Sequence, residues 1–231
     1  MLAEHGLDRD IASINASLPV VTIGVVLAGG KSSRMGRNKA MLVRTSFDTS
    51  NHLGERAAVT LLNHMKNCLM AAGCAEVVVS GAAVGGLPDR ILDAGPLAGI
   101  DSALASLPVS TSPRQMLIVP VDMPALSPVT LQGLMTAAGA ARPMHYQSQM
   151  LPLVLPITQQ TCIAVDAALR GNGPHSIHAL VASLSAGTLP LPTSVANEFF
   201  NLNTPAEWQA WCLDISSSQA RTIDPSGTLQ A

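Results

Sequence analysis

A three-layer α/β domain, with a mostly parallel sheet between helices on both faces, is the fold class that this 231-residue sequence predicts. Three observations lead there. Short apolar runs alternate with longer helical patterns, the rhythm of strands joined by crossover helices. Apolar residues make up 48% of the chain and charged residues 12%, which excludes a disordered chain and fills a sizeable core. The first apolar run also leads straight into "AGGKSSRMGRNK", a loop whose glycines free backbone N–H groups and whose cations follow closely, as binding a polyphosphate requires.

The elements follow in order. Strands are predicted at 20–27 (VVTIGVVL), 75–80 (AEVVVS), 116–121 (MLIVPV), 151–157 (LPLVLPI) and 197–202 (NEFFNL). Between the first two, residues 55–72 carry Ala58, Leu61, Leu62, Met65 and Leu69 on one helical face, so the segment reads as a βαβ unit. Two later helices have readable starts. Ser127 precedes Pro128, and in Thr204-Pro205-Ala206-Glu207 the threonine caps, the proline fits the first turn and the glutamate closes a capping box. The first 18 residues and the tail from Ser216 lack a sustained apolar period and read as loose ends of one domain, 1–231, with its core at about 19–214. No internal repeat is visible.

The formal charge of −2 argues against a nucleic-acid partner, which would need a basic face, so any polyanion bound should be small. Cys68, Cys74, Cys162 and Cys212 form no C-x-x-C pair and have no histidine at zinc-finger spacing, which suggests reduced structural thiols. The N-terminus lacks the apolar stretch of a signal peptide. The longest apolar run, around Pro19 to Gly30, is far short of the roughly 20 residues of a membrane helix. A cytoplasmic protein with no membrane partner is expected.

The loop itself discriminates between phosphate-binding patterns. G-x-x-x-x-G-K-[ST] fails because Val25 stands where its first glycine belongs, and G-x-G-x-x-G fails because Gly29 and Gly30 are adjacent and Ser33 follows. A third pattern, L-A-G-G-x-S-x-R-M-G-x-x-K, matches at every fixed position from Leu27 to Lys39. It resembles the nucleotidyltransferases that join a nucleoside triphosphate to a phosphate, sugar phosphate or pterin phosphate. With "LDAGPLAGIDSAL" (92–104), "IVPVDMPALSP" (118–128) and "FFNLNTPAEW" (199–208), the chain is similar over about 23–213 to the MobA-type molybdenum cofactor guanylyltransferases.

The resemblance implies a Rossmann-like nucleotidyltransferase fold of the nucleotide-diphospho-sugar transferase kind. The reaction it implies is Mg²⁺-dependent transfer of GMP from GTP to the terminal phosphate of molybdopterin, with release of pyrophosphate. Leu27, Ala28, Gly29 and Gly30 would then present backbone N–H groups to the nucleotide, while Arg34 and Lys39 grip its phosphates as catalytic cations. Lys31 and Arg37, at variable positions, read as a solvated face. Asp122, after a predicted strand, would hold the Mg²⁺ at the carboxyl edge of the sheet, though an aspartate before Met-Pro can also simply form a turn. Ser80, Asp93, Gly95 and Gly99 would bound the nucleoside; Asp93 can face guanine or ribose, or only cap the helix after it. Asn201 and Asn203 would line the pterin side, or serve as loop residues.

Three segments differ from the family pattern. The connector after Lys39 (42–54, LVRTSFDTSNHLG) is long and polar, Ser80 replaces a common asparagine, and 171–184 lacks an arginine often found there, leaving His175 and His178 as its nearest polar substitutes. A cytidylyltransferase acting on the same pterin, and a non-catalytic protein that carries nucleotide or molybdopterin, are the alternatives. The implied partners are the small-molecule substrates, with room for other molybdenum cofactor biosynthesis proteins and apo-molybdoenzymes.

Overall fold

A computed structural model describes residues 20–29, 38–47, 56–108, 110–139, 142–171 and 175–222. In chain order, strand β1 (Val21–Leu27) is followed by a hairpin of β2 (Val43–Phe47) and β3 (Arg56–Thr60), then helix α1 (Leu61–Ala71) and β4 (Glu76–Ser80). Helix α2 (Pro96–Ser106) leads to β5 (Arg114–Pro120), α3 (Pro128–Ala138), β6 (Met144–Tyr146) and β7 (Leu153–Pro156). Helices α4 (Gln159–Arg170) and α5 (Ile177–Ser183), strand β8 (Gly187–Leu189) and helix α6 (Pro205–Thr222) complete the order.

The main sheet has six strands in the order β4-β1-β5-β7-β6-β8. β1 pairs in parallel with both β4 and β5, and β6 with β8, whereas β7 runs antiparallel to both of its neighbours. The sheet is buried on both faces, which is why its central strands are continuous apolar runs rather than alternating ones. Val26, Leu117 and Val119 pack with Leu61 and Met65 of α1 and Leu131 and Leu134 of α3. Val25, Met116 and Ile118 face the other way, toward Leu97 and Ile100 of α2, Val165 of α4 and Leu180 of α5. The three-layer expectation holds.

Several boundaries differ from the sequence reading. The 55–72 helix begins only at Leu61, because 56–60 is the strand β3, paired with β2 in the register Val43↔Thr60 to Phe47↔Arg56. Thr60 ends that strand and caps α1, its Oγ1 accepting the Asn63 N–H at 3.2 Å. The βαβ unit survives with the hairpin inserted into it. The strand expected at 197–202 is absent; 193–199 forms a 3₁₀ helix, which buries Phe199 edge-on to Tyr146 with ring centroids 5.1 Å apart. The sheet positions beyond β7 go instead to β6 and β8, three residues each, too short to show a period. Helix α6 continues to Thr222, past the Ser216 at which a loose tail was expected.

Both capped starts are present. Ser127 Oγ accepts the Thr130 N–H at 3.2 Å, and the Glu207 N–H reaches Thr204 Oγ1 at 3.3 Å while Glu207 Oε2 accepts the Thr204 N–H at 2.8 Å. Among the described residues no helix is long and apolar enough to cross a membrane.

Candidate active site

Because β4, β1 and β5 are parallel and adjacent, their carboxyl ends fall side by side. Ser80, Leu27 and Pro120 occupy one register row. The pairing continues past the strand ends, with Ala28 N–H donating to Ser80 O at 2.8 Å and Val121 N–H to Leu27 O at 3.1 Å. This edge is the floor of a cleft of about 780 Å³. A ligand there meets main-chain groups already aligned by the sheet, as open α/β folds generally arrange.

At one end of the floor three separate segments converge. Lys39 begins a short 3₁₀ turn (Lys39–Met41) stabilised by Asn38, whose Oδ1 accepts the Ala40 N–H at 3.0 Å. Its ammonium donates to Asp122 Oδ2 at 3.0 Å and to Asn203 Oδ1 at 2.9 Å. Asp122 follows Val121 just beyond the end of β5, and its own carbonyl accepts the Leu202 N–H at 2.8 Å, tying the Asn203 segment alongside. The next loop residues are held from α1, where His64 Nε2 donates to Pro124 O at 2.7 Å; burial pushes the His64 pKa below its ordinary value. Glu207 accepts the Asn203 N–H at 2.7 Å, and this bond, with smaller help from Thr204 and the charge of Lys39, holds its carboxyl below the usual range.

The polar connector expected after Lys39 is the β2–β3 hairpin, in so far as it is described. Arg44 lies 4.9 Å over the ring of Trp211, which contacts Trp208 at 5.4 Å and His64 at 5.6 Å between centroids. The cation–π contact therefore fastens the hairpin to α6, and the edge-on His64–Trp211 contact fastens α6 to α1.

The opposite end of the cleft is built by α2. Gly99 sits so close to β4 that a Cβ there would lie 2.5 Å from Ser80 Oγ. One turn on, buried Ser102 donates to Pro88 O at 2.9 Å and accepts the Arg90 N–H at 3.2 Å, so a single hydroxyl bridges both neighbours of Asp89. Arg90 pairs with Asp101 at 3.3 Å. The helix opens after Gly95, at φ 60°, and Asp93 just before it has φ 57°, a conformation aspartate tolerates better than most residues.

Of the residues expected from sequence, Leu27, Ala28, Gly29, Lys39, Ser80, Asp93, Gly95, Gly99, Asp122 and Asn203 all line this cleft. Asn201 does not line it; its carbonyl accepts from Asn203 Nδ2 at 3.3 Å. Gly30 and Arg34 lie outside the described residues, as do Lys31 and Arg37. His175 contacts Ala168 O at 3.1 Å, and neither it nor His178 is part of the cleft lining. Sequence reasoning passed over Asp89, a third, half-buried carboxylate in the cleft beside those of Asp93 and Asp122, although it stands only four residues before Asp93 in the same loop. It also missed Asn38 and the exposed Leu92. Among the described residues no group of three or more His, Cys, Asp or Glu side chains could hold a metal ion.

Residues 24–186 match the family described as "MobA-like NTP transferase domain". A molybdenum cofactor guanylyltransferase from Xanthomonas euvesicatoria is 36% identical over 188 residues, covering 80% of this chain and 91% of that one. Among solved structures, molybdopterin-guanine dinucleotide biosynthesis protein A from Archaeoglobus fulgidus aligns with a TM-score of 0.60 at 17% identity, covering 85% of this chain and 99% of that one. A nucleotidyl transferase from Methanothermobacter aligns with a TM-score of 0.62 at 16% identity, covering 86% and 99%. The two structures speak to the fold alone. With most of the chain matched in both sequence comparisons, and with the motif residues that the structure describes gathered at one sheet edge, this chain belongs to the MobA-like NTP transferase domain family.

Proposed function

We propose that the chain transfers GMP from GTP to the terminal phosphate of molybdopterin and releases pyrophosphate. The observation that carries the reading is the convergence of Lys39, Asp122 and Asn203 at the foot of a cleft, in a chain whose 36% identical relative is named a molybdenum cofactor guanylyltransferase. A cleft of about 780 Å³ suits a ligand of nucleotide size.

In this reaction an acceptor phosphate oxygen forms a bond to the α-phosphorus of GTP as the bond from that phosphorus to the β-phosphate oxygen breaks. Both reactants are anions, so positioning and charge neutralisation supply the catalysis. Lys39, which gives two of its three ammonium protons to Asp122 and Asn203, offers the third to an oxygen of the triphosphate and stabilises the departing pyrophosphate. The Ala28 N–H and the Leu27 carbonyl are engaged in the sheet, by Ser80 O and the Val121 N–H, so these two residues shape the floor rather than donate to the nucleotide as the sequence suggested; Gly29 offers its main chain to the nucleotide, and Arg34 adds a second cation. Asp122 fits Mg²⁺: it is a hard oxygen donor at the strand edge, and it already faces a cation, the Lys39 ammonium, at 3.0 Å. Bound there, Mg²⁺ neutralises phosphate oxygens and lowers the cost of bringing two anions together. Asp93, which lines the same cleft as Asp89, reads the N1–H and 2-amino edge of guanine, and Asn203, backed by the Asn201 carbonyl, bounds the acceptor side.

The test is to supply each nucleoside triphosphate in turn with Mg²⁺ and molybdopterin and to measure pyrophosphate. GTP should be consumed fastest, with pyrophosphate and the guanine dinucleotide formed in equal amounts. A preference for CTP would replace the reading with a cytidylyltransferase, a fold relative. Nucleotide binding without turnover would favour a carrier protein.

A further inference from the structure

Glu207 does more than a capping box requires. In that motif the glutamate reaches back to one N–H, that of the capping residue. Here the same oxygen, Oε2, accepts two consecutive N–H groups, Thr204 at 2.8 Å and Asn203 at 2.7 Å. Those two N–H groups belong to the peptide planes on either side of the Asn203 Cα, so both backbone torsions of Asn203 are pinned at once. Its side chain is then fixed at both ends of the amide: Nδ2 donates to Asn201 O at 3.3 Å and Oδ1 accepts from Lys39 Nζ at 2.9 Å. The segment is also tied to the Asp122 main chain through Leu202. An unbroken chain of hydrogen bonds thus runs from the first turn of α6 to the ammonium at the foot of the cleft.

We propose that Glu207 is a positioning residue for the transfer site, acting through Asn203 to aim the Lys39 ammonium into the cleft beside Asp122. The proposal rests on the reading that the cleft binds a nucleoside triphosphate. Without Glu207, two N–H groups lose their partner, Asn203 is free to turn, and Lys39 keeps only the carboxylate of Asp122. The ammonium then spends less of its time where phosphate oxygens can meet it. Glutamine at 207 retains an acceptor oxygen of the same reach, so it should restore most of the effect.

The experiment measures two quantities on Glu207→Ala, Glu207→Gln, Asn203→Ala and the Asn203→Ala/Glu207→Ala double variant, at a temperature where each is fully folded by circular dichroism. One is the Kd of inorganic triphosphate by calorimetry, which requires no turnover. The other is kcat for GTP-dependent pyrophosphate release. Glu207→Ala should weaken triphosphate about fivefold and lower kcat by about tenfold or more, with Glu207→Gln within about threefold of wild type. Adding Glu207→Ala to Asn203→Ala should change neither quantity further, because the effect passes through Asn203. Ser127→Ala, which removes the equivalent cap of α3, should lower the melting temperature but leave both readouts unchanged. Unchanged triphosphate affinity in Glu207→Ala, losses that add in the double variant, or a wild-type protein that binds no triphosphate would overturn the proposal. Wild-type binding of triphosphate without GTP turnover sinks the guanylyltransferase reading instead, and the Glu207 effect remains readable in the Kd.

Discussion

Gly81, just beyond the end of β4, is a position where a single methyl group should badly damage the floor of the cleft. Its backbone sits at φ 137°, ψ 101°, and a Cβ built there would stand 2.9 Å from both Ala28 C and Gly29 N and 3.1 Å from Ala28 O. Those are main-chain atoms at the end of the central strand, so no side chain can swing aside. Relief requires the Ala28–Gly29 backbone to move by about 0.5 Å or more, at an overpacking cost of about 1–3 kcal/mol. The unfavourable φ adds about 1–3 kcal/mol, and the reduced freedom of the unfolded chain returns about 0.4–1 kcal/mol. Gly81→Ala should therefore lose about 2–4 kcal/mol, or about 5–15 °C in Tm for a protein of this size. Because Ala28 and Gly29 line the cleft, GTP affinity should fall by about tenfold as well. Gly85→Ala is the control in the same loop. Gly85 has φ 74°, ψ 14° and nothing within 4 Å of its would-be Cβ, so only about 1 kcal/mol should be lost and GTP affinity kept. Melting curves and calorimetric GTP titrations of the two variants decide it: if Gly81→Ala melts with Gly85→Ala and binds GTP like wild type, the steric reasoning fails.

Asp122→Ala should abolish turnover while leaving the melting temperature nearly unchanged, because it removes a partly buried carboxylate at the rim of the sheet rather than a core side chain; turnover within tenfold of wild type at saturating Mg²⁺ would remove it from the metal role. Lys39→Ala should lower kcat more than it raises KM, as expected for charge that develops on the leaving pyrophosphate, and steady-state kinetics in GTP separate the two. Asp93→Asn should erode the preference for GTP over inosine triphosphate, which lacks only the 2-amino group; if Asp89→Asn does so instead, the base is read by the carboxylate that Ser102 holds in place. Burial pushes the thiols of Cys68 and Cys74 up to about 11 and about 12, whereas Cys162 is exposed, so a thiol reagent at pH 8 should label Cys162 quickly and those two only on unfolding. Since their folded values lie above the unfolded one, the stability they contribute is complete below pH 9 and is lost as pH rises toward 11–12, which urea titrations at pH 8 and pH 10.5 would reveal.

Much of this protein was legible before any coordinates. Strands such as 116–121 are apolar throughout because both faces are covered, and that run is visible in the chain itself. Helix starts at Ser127 and Thr204 were legible because a cap is a local bond between residues three apart. Leu27 to Gly29, Lys39 and Asp122 could be marked from short stretches of sequence, and all of them line one cleft. Non-local relations were a different matter. The 56–60 strand was read as helix because its apolar residues suit either period, and only the antiparallel partner strand 43–47 decides between them. Phe199 and Leu202 were read as strand residues because both are apolar, yet one is buried against Tyr146 and the other hydrogen-bonds to Asp122. Lys39, Asp122 and Asn203 were each marked separately; that one ammonium joins all three, with Glu207 behind them, is a relation among residues up to 164 positions apart. Asp89 carries no mark in the sequence beyond its charge, and it takes its place in the cleft from Ser102 on a neighbouring helix. Periodicity, caps and short motifs record energies between near neighbours, so sequence alone determined them. Which distant segments share an ammonium, a hydroxyl or a van der Waals surface is fixed only when the sheet brings strand ends together, and that was decided by the tertiary structure.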